Sequence, residues 1–96
     1  MKALWKLSGK FAGWVSSSGR LYNYDGDNVG YMLEDVVYSL EGVYLGEIYK
    51  RNMLAKRIDP LHPSKSRQKS LTRIFATPLQ DRTRHRTPFG WADPEI

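Results

Sequence analysis

The stretch Leu21-Tyr22-Asn23-Tyr24-Asp25-Gly26-Asp27-Asn28-Val29-Gly30-Tyr31-Met32 decides the fold. It reads as two short apolar and aromatic runs on either side of Asp-Gly. That dipeptide turns a β-hairpin because glycine reaches positive φ without a Cβ clash. Tyr, Val and Leu around it are residues that strands favour. The same pattern stands before and after it, as Leu4-Trp5-Lys6-Leu7-Ser8-Gly9-Lys10-Phe11-Ala12-Gly13-Trp14-Val15 and as Val37-Tyr38-Ser39-Leu40-Glu41-Gly42-Val43-Tyr44-Leu45-Gly46-Glu47-Ile48. The turn glycines Gly9, Gly26 and Gly42 are spaced almost evenly along the chain. The shared unit is aliphatic, aromatic, any, apolar, polar, Gly, any two, aliphatic, Gly, any, aliphatic. Self-similarity at a fixed period outranks local propensity as a guide to architecture.

Each unit is predicted to be one β-hairpin. The second glycine, at 13, 30 and 46, falls inside a strand, where glycine marks a bulge, a bend or the close approach of another backbone. Repeating that feature bends each hairpin at one point and lets the hairpins gather around an axis. The polar links Ser16-Ser17-Ser18-Gly19, Glu34-Asp35 and Lys50-Arg51-Asn52 join them. A degenerate fourth unit begins at Met53-Leu54, where the next aliphatic-aromatic pair is expected, and then the pattern stops. Glu47 stands where Trp14 and Tyr31 stand in the earlier copies. The expected fold is all-β, with three to four hairpin repeats around a pseudo-symmetry axis. The hairpins alone make a thin core, since a domain of about 60 residues buries only about 60% of its unfolded surface. The module is therefore expected to close on itself, to self-associate, or to be covered by the rest of the chain.

Composition divides the 96 residues unevenly. Residues 1–49 carry four Lys/Arg and six Asp/Glu, net −2; residues 50–96 carry eleven and four, net +7. All five prolines lie at 60 or beyond, and seven of the eight glycines before 47. The shift predicts a hairpin module over 1–57 and a basic, Pro-containing, largely irregular tail over 58–96. Within the tail, 64–76 offers a short helix with Leu71, Ile74 and Phe75 on one face; otherwise the tail is expected to be extended or disordered. Its end, Pro88-Phe89-Gly90-Trp91-Ala92-Asp93-Pro94, sets two aromatics beside acidic residues and reads as a docking segment.

The repeat resembles that of the 4-fold β-flower proteins, small bacterial proteins in which such units form hairpins around a pseudo-fourfold axis. The resemblance rests on Gly26-Asp27-Asn28-Val29-Gly30-Tyr31-Met32, Val36-Val37-Tyr38-Ser39-Leu40 and Gly42-Val43-Tyr44-Leu45-Gly46, and covers residues 3–55. It implies the fold and also a basic tail with an aromatic end. It implies no activity, so function has to be read from the residues.

With no cysteine, disulfides, thiolate zinc sites and thiol nucleophiles are excluded, and a reducing, cytoplasmic setting is expected. No apolar run approaches a membrane span. His62 and His85 lack metal-ligand spacing and read as surface residues. Glu34-Asp35 and Ser16-Ser17-Ser18 read as turn and loop rather than catalytic groups, no phosphate-cradling glycine motif is present, and the expectation is a non-enzyme without cofactor or metal. The leading expectation is an interaction module whose tail contacts a polyanion, nucleic acid first, through Lys65, Arg67, Lys69, Arg73, Arg82, Arg84 and Arg86. An alternative is capture of a small anionic, nucleotide-like ligand, with Trp14 and Tyr31, exposed by the bends, as stacking rings. A further alternative is a protein partner docked on Phe89 and Trp91. Trp5, Tyr22 and Tyr38 are expected to be packing aromatics, and Ser66, Ser70 and Thr72 are minor candidates for phosphorylation.

Overall fold

The computed structural model describes residues 1–96. It contains eight strands and no helix: β1 (Lys2–Lys6), β2 (Phe11–Val15), β3 (Arg20–Asn23), β4 (Asn28–Leu33), β5 (Val36–Ser39), β6 (Tyr44–Tyr49), β7 (Met53–Arg57) and β8 (Trp91–Ala92). β1 to β7 follow one another as an antiparallel meander, and a parallel pairing of β1 with β7 closes it. The closing contact sets Trp5 against Met53, with the Trp5 N–H donating to the Asn52 carbonyl at 2.9 Å. The hairpin repeat is therefore real, and its three turn glycines have φ between +88° and +92°.

Alternation along each strand sorts the unit into two layers. The aliphatic positions point inward and form one cluster from Leu4, Ala12, Val15, Leu21, Val37 and Leu54, with Val29, Met32, Leu45 and Ile48 packed on it. The aromatic positions fall on the opposite face, where Trp5, Phe11, Trp14 and Tyr22 form a second cluster and Tyr31 stacks on Tyr38 at 5.7 Å. The interior glycines mark close approach. A Cβ on Gly13 or Gly30 would overlap the carbonyl oxygen of Tyr22 or Tyr38, the aromatic of the next hairpin.

Register shows where the fourth unit lies. Between successive hairpins Val15 pairs with Leu21, Met32 with Val37 and Ile48 with Leu54; beside them Trp14 meets Tyr22, Tyr31 meets Tyr38 and Glu47 meets Ala55. The fourth aliphatic-aromatic pair is thus Leu54-Ala55, shifted by one position from Met53-Leu54, with alanine in the aromatic place. Its second strand comes from the far end of the chain: β8 pairs antiparallel with β7, Lys56 opposite Ala92 and Arg57 opposite Trp91. Ile96 then packs against the aliphatic core.

Residues 58–90, between the two strands of that last hairpin, form neither the short helix nor a free tail. They run in extended, irregular form around the module and bond to each turn glycine in reverse order. Lys65 N–H donates to the Gly42 carbonyl (2.9 Å), Ile74 N–H to Gly26 (2.9 Å) and Arg82 N–H to Gly9 (2.7 Å). Near the fourth hairpin, Ile58 N–H donates to the Gly90 carbonyl at 2.9 Å. In place of helical bonds to their own preceding turns, the N–H groups of Lys65, Gln68, Leu71 and Ile74 each donate outward to the hairpin module. The whole forms a disc, with extents of 34 × 33 × 18 Å.

The tip glycines serve two needs at once: a left-handed backbone, and room for the wrap. At Gly26, φ is +88° and a Cβ would overlap the Ile74 carbonyl oxygen; at Gly90, φ is +85° with nothing within 4 Å. Gly26→Ala is expected to cost about 1–3 kcal/mol for the backbone alone, with a further loss from the displaced wrap. Gly90→Ala should show only the backbone part. Thermal denaturation of the two variants side by side measures the difference, and equal losses would mean the wrap yields freely at Gly26.

Candidate functional site

Three regions carry chemistry: the cationic wrap, the seam at the fourth hairpin where the repeat departs from its pattern, and a cation-lined cleft where the ring closes.

The wrap is fastened by polar side chains of the module. Asn28 is 4% exposed and has all its partners: its amide group donates to the Leu21 and Gly30 carbonyls at 2.9 Å, and its oxygen accepts from Leu71 N–H at 3.0 Å and from the Arg20 guanidinium at 3.1 Å. Arg20 also donates to the Lys69 carbonyl (2.8 Å), the Tyr31 hydroxyl to the Ser66 carbonyl (2.6 Å) and the Trp5 indole N–H to the Gln80 carbonyl (2.9 Å). In the other direction the Asp81 carboxylate accepts from Phe11 N–H at 2.8 Å. Trp5, Tyr22 and Tyr38 are buried packing aromatics. Trp14 and Tyr31 correct an expectation: the bends do not expose them. They are 6% and 3% exposed, held edge-on to Phe11 and stacked on Tyr38 respectively, so neither ring presents a face to a ligand.

The cations of the wrap lie outside this layer. Lys65, Arg67, Lys69, Arg73, Arg82, Arg84 and Arg86 are all exposed. Only Arg73 has a carboxylate within ion-pair reach, Asp27 at 3.8 Å. Three of them lie over aromatics: the Arg82 guanidinium sits 3.4 Å from the Trp5 ring centre, the Arg73 guanidinium 5.8 Å from that of Phe75, and the Lys65 ammonium 6.0 Å from that of Tyr38. A cation over a ring face keeps its charge available to solvent while it shields the ring. Ser66 and Ser70 lie in the same exposed run, as does Thr72.

At the seam, Glu47 replaces an aromatic and Ala55 faces it. The space is filled by polar groups. The Tyr44 hydroxyl donates to Glu47 Oε2 at 2.8 Å and accepts from Arg57 N–H at 3.0 Å. Arg57 Nε and His62 Nε2 lie 3.3 and 3.4 Å from the same carboxylate oxygen, and the His62 ring stacks on Tyr44 at 5.2 Å. Burial, opposed by the Arg57 N–H and reinforced by Glu47, pushes the Tyr44 hydroxyl up to about 12. Trp91, expected as a partner anchor, is engaged within the chain: the Arg57 guanidinium lies 4.4 Å over its ring, and Tyr49 packs edge-on at 5.1 Å. Phe89 is left fully exposed. His62 and His85 are both held, the latter accepting from Lys50 Nζ at 3.3 Å through Nε2 and donating from Nδ1 to the Arg86 carbonyl at 2.6 Å. Glu34 and Asp35 form a tight turn with φ of +49° and +66°.

A cleft of about 670 Å³ opens where β1 meets the β6–β7 turn. Lys2, Lys50, Arg51 and Arg82 line it, with Trp5, Asn52 and a single carboxylate, Asp35. Sequence reasoning missed this cluster because its members are distant along the chain and meet only when the ring closes. The polar seam was signalled by Glu47 in an aromatic place, but its partners Tyr44, Arg57 and His62 carried no spacing to reveal them. No helix is long and apolar enough to cross a membrane.

Against known families, residues 2–93 match the model described as 4-fold beta flower protein. The match runs well beyond the hairpins that carry the resemblance and takes in the wrap and β8. No curated protein and no solved structure matches the chain.

Proposed function

The chain belongs to the 4-fold beta flower family, and from that footing we propose that it is a non-enzymatic, cytoplasmic interaction module whose wrap contacts a polyanion, namely nucleic acid. One observation carries this reading. Residues 58–90 hold seven Lys/Arg against Asp59 and Asp81, all seven are exposed, and six of them have no ion pair. Unpaired surface cations that neutralise phosphates release condensed counterions, which drives association. Anchoring the wrap to the hairpin tips also fixes these cations before binding, so less ordering is lost on association.

The test is fluorescence polarisation with a labelled oligonucleotide between about 50 and 200 mM salt. Binding is expected to weaken steeply across that range. The variant R67A/K69A/R84A/R86A, whose substitutions lie outside the packed layers, should bind at least about tenfold more weakly. Its log–log salt slope should be shallower by about 3 for single strands, at about 0.7 per cation removed. Binding that ignores both salt and these substitutions would refute the reading.

The four cations around the 670 Å³ cleft favour a second reading, capture of a small nucleotide-like anion. Calorimetric titration with ATP decides it. Binding abolished by K2A/R51A, with oligonucleotide affinity unchanged, would support the cleft as a separate ligand site.

A further inference from the structure

The wrap contains a repeat of its own. Lys65-Ser66-Arg67-Gln68-Lys69 and Arg82-Thr83-Arg84-His85-Arg86 share the order cation, hydroxyl, cation, polar, cation, and they are set apart by the same interval as Gly9 and Gly26. The two segments are seated in the same way. Lys65 N–H donates to the Gly42 carbonyl and Gln68 N–H to that of Leu40; Arg82 N–H donates to Gly9 and His85 N–H to Leu7. In each, the first and fourth residues bond the tip glycine and the residue two before it. In each, the first cation lies over the aromatic of its own hairpin, Tyr38 or Trp5. The next two, Arg67 with Lys69 and Arg84 with Arg86, are exposed and have no ion pair.

These segments serve the third and the first hairpins. The second hairpin, between them, receives Ile74, which packs on the buried aromatics. In a ring of four hairpins the first and third lie across from one another, so the cationic segments occupy opposite rims of a disc 34 × 33 Å across. Past each segment the wrap reaches an exposed phenylalanine: Phe75, 91% exposed with the Arg73 guanidinium 5.8 Å from its ring centre, just beyond the second hairpin's seat at Ile74, and Phe89, fully exposed, on the cleft that His85 and Arg86 line.

We infer that the disc holds two equivalent sites for single-stranded nucleic acid, one on each rim, and that one molecule bridges two strands. This rests on the nucleic-acid reading above and adds its geometry. Alternate residues of an extended chain lie about 6.6–7 Å apart, so each segment sets its cations in one row suited to following a single backbone. Reading a duplex takes an element that enters a groove, and an extended segment lying along a rim is not one. An exposed ring further along the wrap from each row supplies a stacking surface, which requires an unpaired base.

The test uses the full-length chain and hexathymidylate at low salt. Native mass spectrometry is expected to show two oligonucleotides on one chain. A mixture of donor- and acceptor-labelled hexathymidylate should show energy transfer when protein is added. R67A/K69A and R84A/R86A should each bind one oligonucleotide and lose the transfer, with melting temperatures close to that of the parent. F75A/F89A should weaken binding by about fivefold or more and leave the salt slope unchanged. One oligonucleotide per chain without energy transfer would overturn the bridging while leaving the nucleic-acid reading in place. Preference for duplex, or no effect of F75A/F89A, would overturn the single-strand assignment. No binding of any oligonucleotide would remove the nucleic-acid reading itself.

Discussion

A chain ended after Arg57 is expected to lose its fold, not merely its basic residues. The composition boundary invites that truncation, because everything beyond it looks like an appendage. Its physical role is different. The aromatic face of the hairpins, with Trp5, Phe11, Trp14, Tyr22, Tyr31 and Tyr38, is buried beneath residues 64–85 and would be opened to water. Ile96 would leave the aliphatic core, and β7 would lose β8 from its edge. The carbonyls of Gly9, Gly26 and Gly42 would lose their donors, and Phe11 N–H would lose the Asp81 carboxylate. What remains is a bare hairpin ring, of a size at which a single core is marginal even when complete. Circular dichroism, amide dispersion in a proton–nitrogen spectrum and gel filtration of residues 1–57 should together report an unfolded or aggregating species. A dispersed spectrum from a monomer would show that the wrap is dispensable and that the ring holds itself. Binding by full-length and truncated chains would then differ through lost structure as well as lost contacts, whereas substitutions at exposed cations such as Arg67, Lys69, Arg84 and Arg86 leave the packed layers in place.

Much of the hairpin ring is legible in the sequence because its determinants are local and repeated. Asp25-Gly26 turns a chain wherever it occurs, and the recurrence of aliphatic-aromatic pairs fixes which residues share a face. The interior glycines announce close approach without saying to what; the answer, the carbonyl of the next hairpin's aromatic, requires the ring. The fourth hairpin is illegible beyond Met53-Leu54 because its second strand lies on the far side of the whole wrap, and a strand as short as Trp91–Ala92 has no periodicity to read. The wrap reads as free or helical for a related reason. Its backbone donors at the hairpin tips bond main-chain carbonyls, which leave no trace in the identity of the bonding residue: Lys65, Ile74 and Arg82 have nothing in common as side chains. One signal is present. The two cationic segments recur with the spacing of Gly9 and Gly26, which already suggests that the second half is measured against the first. The burial of Trp14 and Tyr31 follows from the same cause: a bend exposes a ring only when nothing lies over it.

Trp5→Ala should be the most damaging single substitution, because the ring's closure and the wrap meet at this residue. Its N–H closes the sheet on Asn52, its indole packs edge-on to Phe11 at 5.5 Å, its Nε1–H holds the Gln80 carbonyl and its face carries the Arg82 guanidinium. Removing a buried Trp side chain costs about 3–5 kcal/mol. For a domain of this size that lowers the melting temperature by upwards of about 12 °C, at about 4–8 °C per kcal/mol. Both substitutions leave the main-chain bond to Asn52 in place; Trp5→Phe also keeps much of the packing but leaves the Gln80 carbonyl without its donor, a loss of about 1 kcal/mol. Hydrogen exchange separates the seat of the wrap from the stability of the ring. In Trp5→Ala the amides of Arg82 and His85, bonded to Gly9 and Leu7, should lose protection. Those of Lys65 and Gln68, bonded across the disc to Gly42 and Leu40, should keep it up to the global unfolding limit. That pattern would mean the wrap releases one hairpin at a time, each seat held by its own aromatic. Equal loss at both seats would mean that the wrap and the ring form one cooperative unit, in which the aromatic face is never open without unfolding the whole chain.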